Sequence, residues 1–120
     1  MRNLSYKTFY WTLHSKNKML FYNLSEQRVK RVLNSPERIE TGIAPNTLAY
    51  MQPVSAKTKN GKKTWSSEIW VMMQETKNNQ SKIIKIISAW RYPGKTKPKD
   101  EKTINILRQE LEEYLKTNLK

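Results

Sequence analysis

The chain contains no cysteine, which removes disulfides, thiolate metal sites and a cysteine nucleophile, and makes a reducing cytoplasm the expected compartment. It is also short of acid, with 10 Asp/Glu against 23 Lys/Arg in 120 residues, and it has one histidine. No apolar run approaches the length that spans a bilayer, and the stretch Met1 to Lys7 has no signal-peptide core, so membrane insertion is not expected. A P-loop, a dinucleotide fingerprint, a carboxylate pair and a metal-ligand spacing are all missing. Neither a metal nor a nucleotide cofactor is expected.

The acid shortage is uneven. Residues 1–100 hold 19 Lys/Arg and 6 Asp/Glu, whereas the last twenty hold four of each, so the net charge of +13 belongs to a body and not to a tail. A surface that repels itself this strongly suits a polyanion, whose phosphates release counterions when lysine and arginine neutralise them. The composition is also that of a folding chain: 37% is hydrophobic, with four Trp, six Tyr and two Phe, unlike basic disordered tails. Its length suits one domain over residues 1–120.

Thr8-Phe9-Tyr10-Trp11-Thr12-Leu13 is β-branched and aromatic, and predicts a strand ending at His14. Ser15 then caps a short helix bearing Lys18, Met19, Leu20 and Tyr22 that stops near Asn23. Ser25 caps a second helix, with Leu24 and Val29 as a hydrophobic staple, and Val32 and Leu33 extend its buried stripe to Asn34-Ser35-Pro36. An antiparallel meander follows over Arg38 to Ile43, Thr47 to Val54, Thr64 to Gln74 and Lys82 to Tyr92, with turns at Asn46, Asn60-Gly61 and Asn78-Asn79-Gln80-Ser81. The third of these strands has large apolar groups on both faces, which predicts a central place with the fourth beside it. After Pro93-Gly94, a basic loop at 95–100 leads to a helix over 101–119 capped by Asp100. Ile104, Leu107, Leu111, Tyr114 or Leu115, and Leu119 form its buried stripe, and Glu110, Glu112 and Glu113 face elsewhere. This order predicts an α+β domain: an N-terminal strand, two short helices, a four-stranded antiparallel meander and a C-terminal helix packed on the sheet, the helices sharing one face.

Four stretches carry a resemblance. His14-Ser15-Lys16-Asn17-Lys18-Met19 followed by Leu24 to Glu37, together with Ile69-Trp70-Val71-Met72 and Ile84 to Trp90, resemble a family of small bacterial domains similar to the RelE and BrnT toxins of toxin-antitoxin pairs. The similarity covers about Thr8 to Trp90. It implies a RelE-like fold, a basic protein that cleaves messenger RNA without metal, and an acidic antitoxin as protein partner. RelE-like enzymes use Lys, Arg and Tyr on the sheet in place of a paired His and Glu.

His14, as the one side chain that titrates near neutrality without help, is either a corner-filling residue or a proton carrier, and Lys18 lies one helical turn on. Alternation sends Trp90 and Tyr92 to one face of the last strand and Arg91 to the other. Trp90 is either core or a platform for a base, and Arg91 either an edge charge or a phosphate clamp. Arg28 and Arg31 on the second helix, Lys59, Lys62 and Lys63 in the hairpin, and Lys95, Lys97 and Lys99 in the loop complete the basic inventory, and the segments 57–63 and 95–99 hold no acid. The expected activity is a toxin-type endoribonuclease using His14, Lys18, Arg91 and Tyr92. The alternatives are a non-catalytic nucleic-acid-binding module, RNA before DNA, or a domain that docks an acidic protein.

Overall fold

Apolar residues on both faces of the two longest strands commit the chain to a sheet covered on each side. The computed structural model describes residues 7–77 and 81–118, in the order β1 (Lys7–Trp11), α1 (Leu13–Tyr22), α2 (Glu26–Asn34), β2 (Arg38–Thr41), β3 (Thr47–Val54), β4 (Lys57–Lys59), β5 (Lys62–Thr64), β6 (Ser67–Lys77), β7 (Lys82–Tyr92) and α3 (Glu101–Asn118). The expected turn residues Asn78, Asn79 and Gln80, and Leu119 of the expected helical stripe, lie outside the described residues.

The protein is α+β. Strands β2, β3, β6 and β7 form the expected antiparallel meander, and β1 adds to it in parallel beside β7, giving the order β1-β7-β6-β3-β2. Strand β6 is central. Its Ile69, Val71 and Met73 pack with Val29 and Val32 of α2, and its Trp70 and Met72 pack with Leu107 of α3. The helices therefore cover both faces, a correction to the single face expected. The cause lies in β6 itself, since each of its faces is apolar and each needs a cover.

Local chemistry explains the element ends. Thr12, not Ser15, caps α1: its Oγ1 accepts from the Ser15 amide at 3.1 Å and donates to the Ile86 carbonyl at 2.8 Å, so one residue closes β1, starts α1 and ties both to β7. Ser15 sits inside the helix, buried, with its hydroxyl donated to the Thr12 carbonyl. Asn23 ends α1 in the left-handed region, and Ser25 caps α2 as expected. Leu24 and Val29 are both buried in one cluster, as a hydrophobic staple requires.

Helix α3 turns a different face inward from the one its leucines suggest. Thr103, Leu107 and Glu110 are buried, Leu111 is half-buried and Leu115 is exposed. Glu110 points into the protein because three donors await it there. Those donors, described below, decide the helix rotation.

The expected strand from Thr64 begins instead at Ser67, because Thr64 closes a separate two-stranded ribbon, β4–β5. Asn60 and Gly61 turn that ribbon with φ of 53° and 77°.

Candidate nucleic-acid interface

The register brings three basic features to one end of the sheet. Val54 at the end of β3 pairs with Ser67 at the start of β6, and Glu68 pairs with Tyr92 at the end of β7. From this end the ribbon leaves β3, the 95–99 loop leaves β7, and Arg91 meets α2. At the opposite end, Lys77 and Lys82 both lie against Glu75, at 3.8 and 3.5 Å.

The ribbon has two unlike faces. Cross-strand partners share a face, so Lys57, Lys59 and Lys62 stand on one side and Thr58 with Lys63 on the other. Lys63 reaches back to Glu37 at 2.6 Å and holds the ribbon to the body. The opposite face carries three exposed lysines and no acid. Lys59 directly opposes Lys62, a like-charge pair that weakens a ribbon already marginal for want of a third strand.

The 95–99 loop is a strap, irregular as expected but firmly latched. Thr96 is buried and donates to the Glu68 carboxylate through its amide at 2.9 Å and its hydroxyl at 2.8 Å. Glu68 is itself fully buried and takes two more bonds, from the indole nitrogens of Trp65 and Trp70, both at 2.9 Å. Four donors replace the water this carboxylate has lost. Arg38 stacks over Trp70 and donates to Thr96 Oγ1 at 2.6 Å and to Glu40 at 2.9 Å, and Glu40 also accepts the Lys99 amide. The latch thus holds Lys95 over the Trp65 ring at 4.6 Å and leaves Lys97 and Lys99 exposed. Glu37, Arg38, Trp65 and the strap line a cleft of about 400 Å³.

On the other face of the sheet, Arg28, Arg31 and Arg91 line one pocket with Met19, Leu20, Asn23, Leu24 and Ser25. No acid lines it. Arg91 donates Nε to the Tyr22 carbonyl at 2.8 Å, and Arg28 donates one Nη to Gln52. Partial burial, then the neighbouring charges of Arg31 and Arg91, lower the pKa of Arg28. Among the described residues none of the three forms an ion pair.

The remaining assigned residues separate. His14 is 5% exposed and its Nε2 lies 3.2 Å from Glu110 Oε1. A carboxylate can only accept, so Nε2 carries the proton. Lys18 donates to Glu110 Oε2 at 2.8 Å and lies 3.8 Å from Glu113, and Ser88 donates to Oε1. Burial is the largest influence on Glu110 and would raise its pKa, but the bonds from His14, Lys18 and Ser88 together hold it below the usual carboxylate value. Burial is likewise the largest influence on Lys18 and lowers its pKa, and Glu110 reverses that to a net rise.

The knot leaves His14 5% exposed and engages the Lys18 ammonium with Glu110 and Glu113, so both of these expected site residues are held by acids of α3. Its donors from His14, Glu110 and Glu113 lie within 4.8 Å of one another, a possible metal set that no sequence spacing shows. The Lys18 ammonium already supplies the cation between those carboxylates.

Tyr92 lies on the opposite face from Arg91, against Gly94, whose Cβ would come within 3.1 Å of its ring at a φ of 149°. The two cannot act on one phosphate. Trp90 is 3% exposed and stacked on Trp70 at 6.0 Å, so no base can reach it, which corrects its assignment as a platform. Trp65, missed in sequence, is the aromatic that lines the basic cleft. Its signal was its place two residues after Lys63, at the end of the lysine run.

Among the described residues no helix is long and apolar enough to cross a membrane. No protein-family model matches the chain, and no curated protein matches it significantly.

Proposed function

We propose that this protein binds nucleic acid, RNA in the first instance as the RelE-type resemblance implies, through its ribbon and strap. One observation carries the reading: two acid-free lysine arms leave the same end of the sheet, the ribbon presenting Lys57, Lys59 and Lys62 on one face and the strap placing Lys95 and Lys97 on a cleft lined by Trp65. Two cationic arms at one end of the sheet suit a strand whose successive phosphates are neutralised by both.

Cleavage of the toxin type would need a proton carrier at the phosphate. His14 is buried on Glu110, and no His, acid or Tyr lines the arginine pocket. Binding is the better supported reading. A cytoplasmic antitoxin-like acidic protein would compete for the same lysines, and exposed Tyr10, Leu13, Leu20 and Phe21 on β1 and α1 offer such a partner an apolar contact.

The test is fluorescence anisotropy with a labelled single-stranded RNA across salt concentrations. Log affinity should fall linearly with log salt, and the combined change of Lys57, Lys59 and Lys62 to Gln should make that slope shallower by about 2 to 3 with an unchanged melting temperature. No binding at low salt, or an unchanged slope, would refute the reading. The same RNA incubated with EDTA reports cleavage directly, since fragments ending in cyclic phosphate would restore the endoribonuclease.

A further inference from the structure

The pocket formed by Arg28, Arg31 and Arg91 has more cation than a strand's internal phosphates ask for. An internal phosphodiester carries one negative charge on two free oxygens, while a terminal phosphomonoester carries about −1.5 to −2 at neutral pH on three acceptor oxygens. Three guanidiniums gathered without a carboxylate suit the greater charge and the third acceptor oxygen of the second ligand. We infer that this pocket is a receptor for the terminal phosphate of a nucleic-acid strand.

The wall chemistry fits that ligand. Arg91 spends only Nε, on the Tyr22 carbonyl, which fixes its plane and leaves the two Nη groups for a bidentate contact. Arg28 is oriented by Gln52 through one Nη, which leaves its other Nη and its Nε, and Arg31 is exposed on the next turn of α2. Asn23 and Ser25 add neutral polar groups at the wall. Leu20, 82% exposed, forms an apolar lip on which the terminal sugar and base can rest. Held together with no acid, the three arginines repel one another, and the lowered pKa of Arg28 reflects that repulsion after its burial. An arriving dianion relieves it.

The pocket opens at the same end of the sheet as the ribbon and strap, since Ile69 pairs with both Arg91 of β7 and Gln52 of β3. A strand that leaves the strap face and passes around this end of the sheet would end there. This inference rests on the nucleic-acid reading above and adds to it a preference for chain ends.

The experiment compares one RNA decamer in three forms, with a 5′-phosphate, with a 3′-phosphate and with hydroxyls at both ends, each measured against wild type and the exposed-site variants Arg31→Gln and Arg91→Gln. One phosphorylated form should bind wild type roughly tenfold or more tightly than the hydroxyl form, as expected for charge-assisted bonds to an added dianion, and which form does so identifies the end recognised. Both variants should erase that preference while leaving the hydroxyl form's affinity within about threefold, the loss of one distributed charge. Equal binding of all three forms by wild type would overturn the inference and leave the nucleic-acid reading standing. Absence of binding by every form at low salt would instead remove the reading itself. Retention of the preference in both variants would place the end-binding site elsewhere and overturn the assignment of this pocket.

Discussion

Lys18 and Arg91 lie on either side of Tyr22, yet they belong to opposite kinds of place. Lys18 stands over the Tyr22 ring and is consumed by Glu110 in a knot with His14 and Ser88, while Arg91 takes the Tyr22 carbonyl and then faces two more arginines with no acid. In the knot every buried polar group meets an opposite, so the energy is spent within the fold. In the pocket and on the ribbon like charges are kept together, so part of their field is left over for a ligand. The difference separates structural charge from binding charge more sharply than residue type does, and it can be broken from either side.

The largest effect should come from the knot's acid. Glu110→Ala leaves His14 and Lys18 without their shared partner and should cost about 3 to 5 kcal/mol in chemical denaturation, the usual penalty for breaking a buried ion pair on one side. The pH profile has a definite sign. A carboxyl held below its usual pKa contributes stability that is present above that usual value and is lost as pH falls through the folded one. Lys18, with its pKa raised, contributes below its usual value and loses that contribution as pH rises through the folded one. Melting temperature should therefore fall on acidification in wild type, and fall less in Glu110→Gln. Parallel profiles would mean that the knot is not coupled to stability.

The strap crosses between the two kinds of place, since a buried acid positions exposed lysines. Thr96→Val removes a donor to Glu68 and a partner of Arg38, and should cost about 1 to 3 kcal/mol. It should also weaken RNA binding with no charge removed, because Lys97 and Lys99 lose their placement. Proteolysis confined to the loop would report the release. Unchanged binding would mean that the strap lysines act by number and not by position.

His14→Gln should be milder, about 1 kcal/mol, since glutamine can still donate toward Glu110. Affinity for RNA per folded molecule should not move. Loss of a measured cleavage with the fold intact would carry His14 from the knot into the chemistry.

Much of the sheet was legible because β-branched and aromatic runs with turn residues between them encode it locally. Thr47–Val54 and Lys82–Tyr92 begin and end where the sequence expects them. The two-sided apolarity of β6 was legible too, yet the layer it demands on the second face was not drawn from it. Local pattern also misjudged α3, because leucine spacing alone cannot weigh Glu110 against three donors that come from α1 and β7. The same holds for the candidate site. Alternation correctly sent Arg91 away from Tyr92, but only the tertiary register shows that this places Arg91 beside Arg28 and Arg31, and that Trp90 is sealed against Trp70.

The smallest effect is the most discriminating, because it has opposite signs in two measurements. Lys62 faces Lys59 across the ribbon, an arrangement that selection for stability alone would replace. Lys62→Glu turns the repelling pair into an attracting one and should stabilise the ribbon by a few tenths of a kcal/mol, up to about 1. Slower amide exchange at Lys59 and Thr64 would show it, with a global melting temperature hardly altered. The same change should weaken RNA binding and reduce the salt slope by about 1 to 2, since it removes one phosphate contact and adds a repelling charge. Tighter ribbon and weaker binding together would mean that the repulsion is held for a polyanion. A tighter ribbon with binding unchanged would make Lys59 and Lys62 ordinary surface charge, and the arginine pocket would then have to carry the nucleic-acid reading without the ribbon.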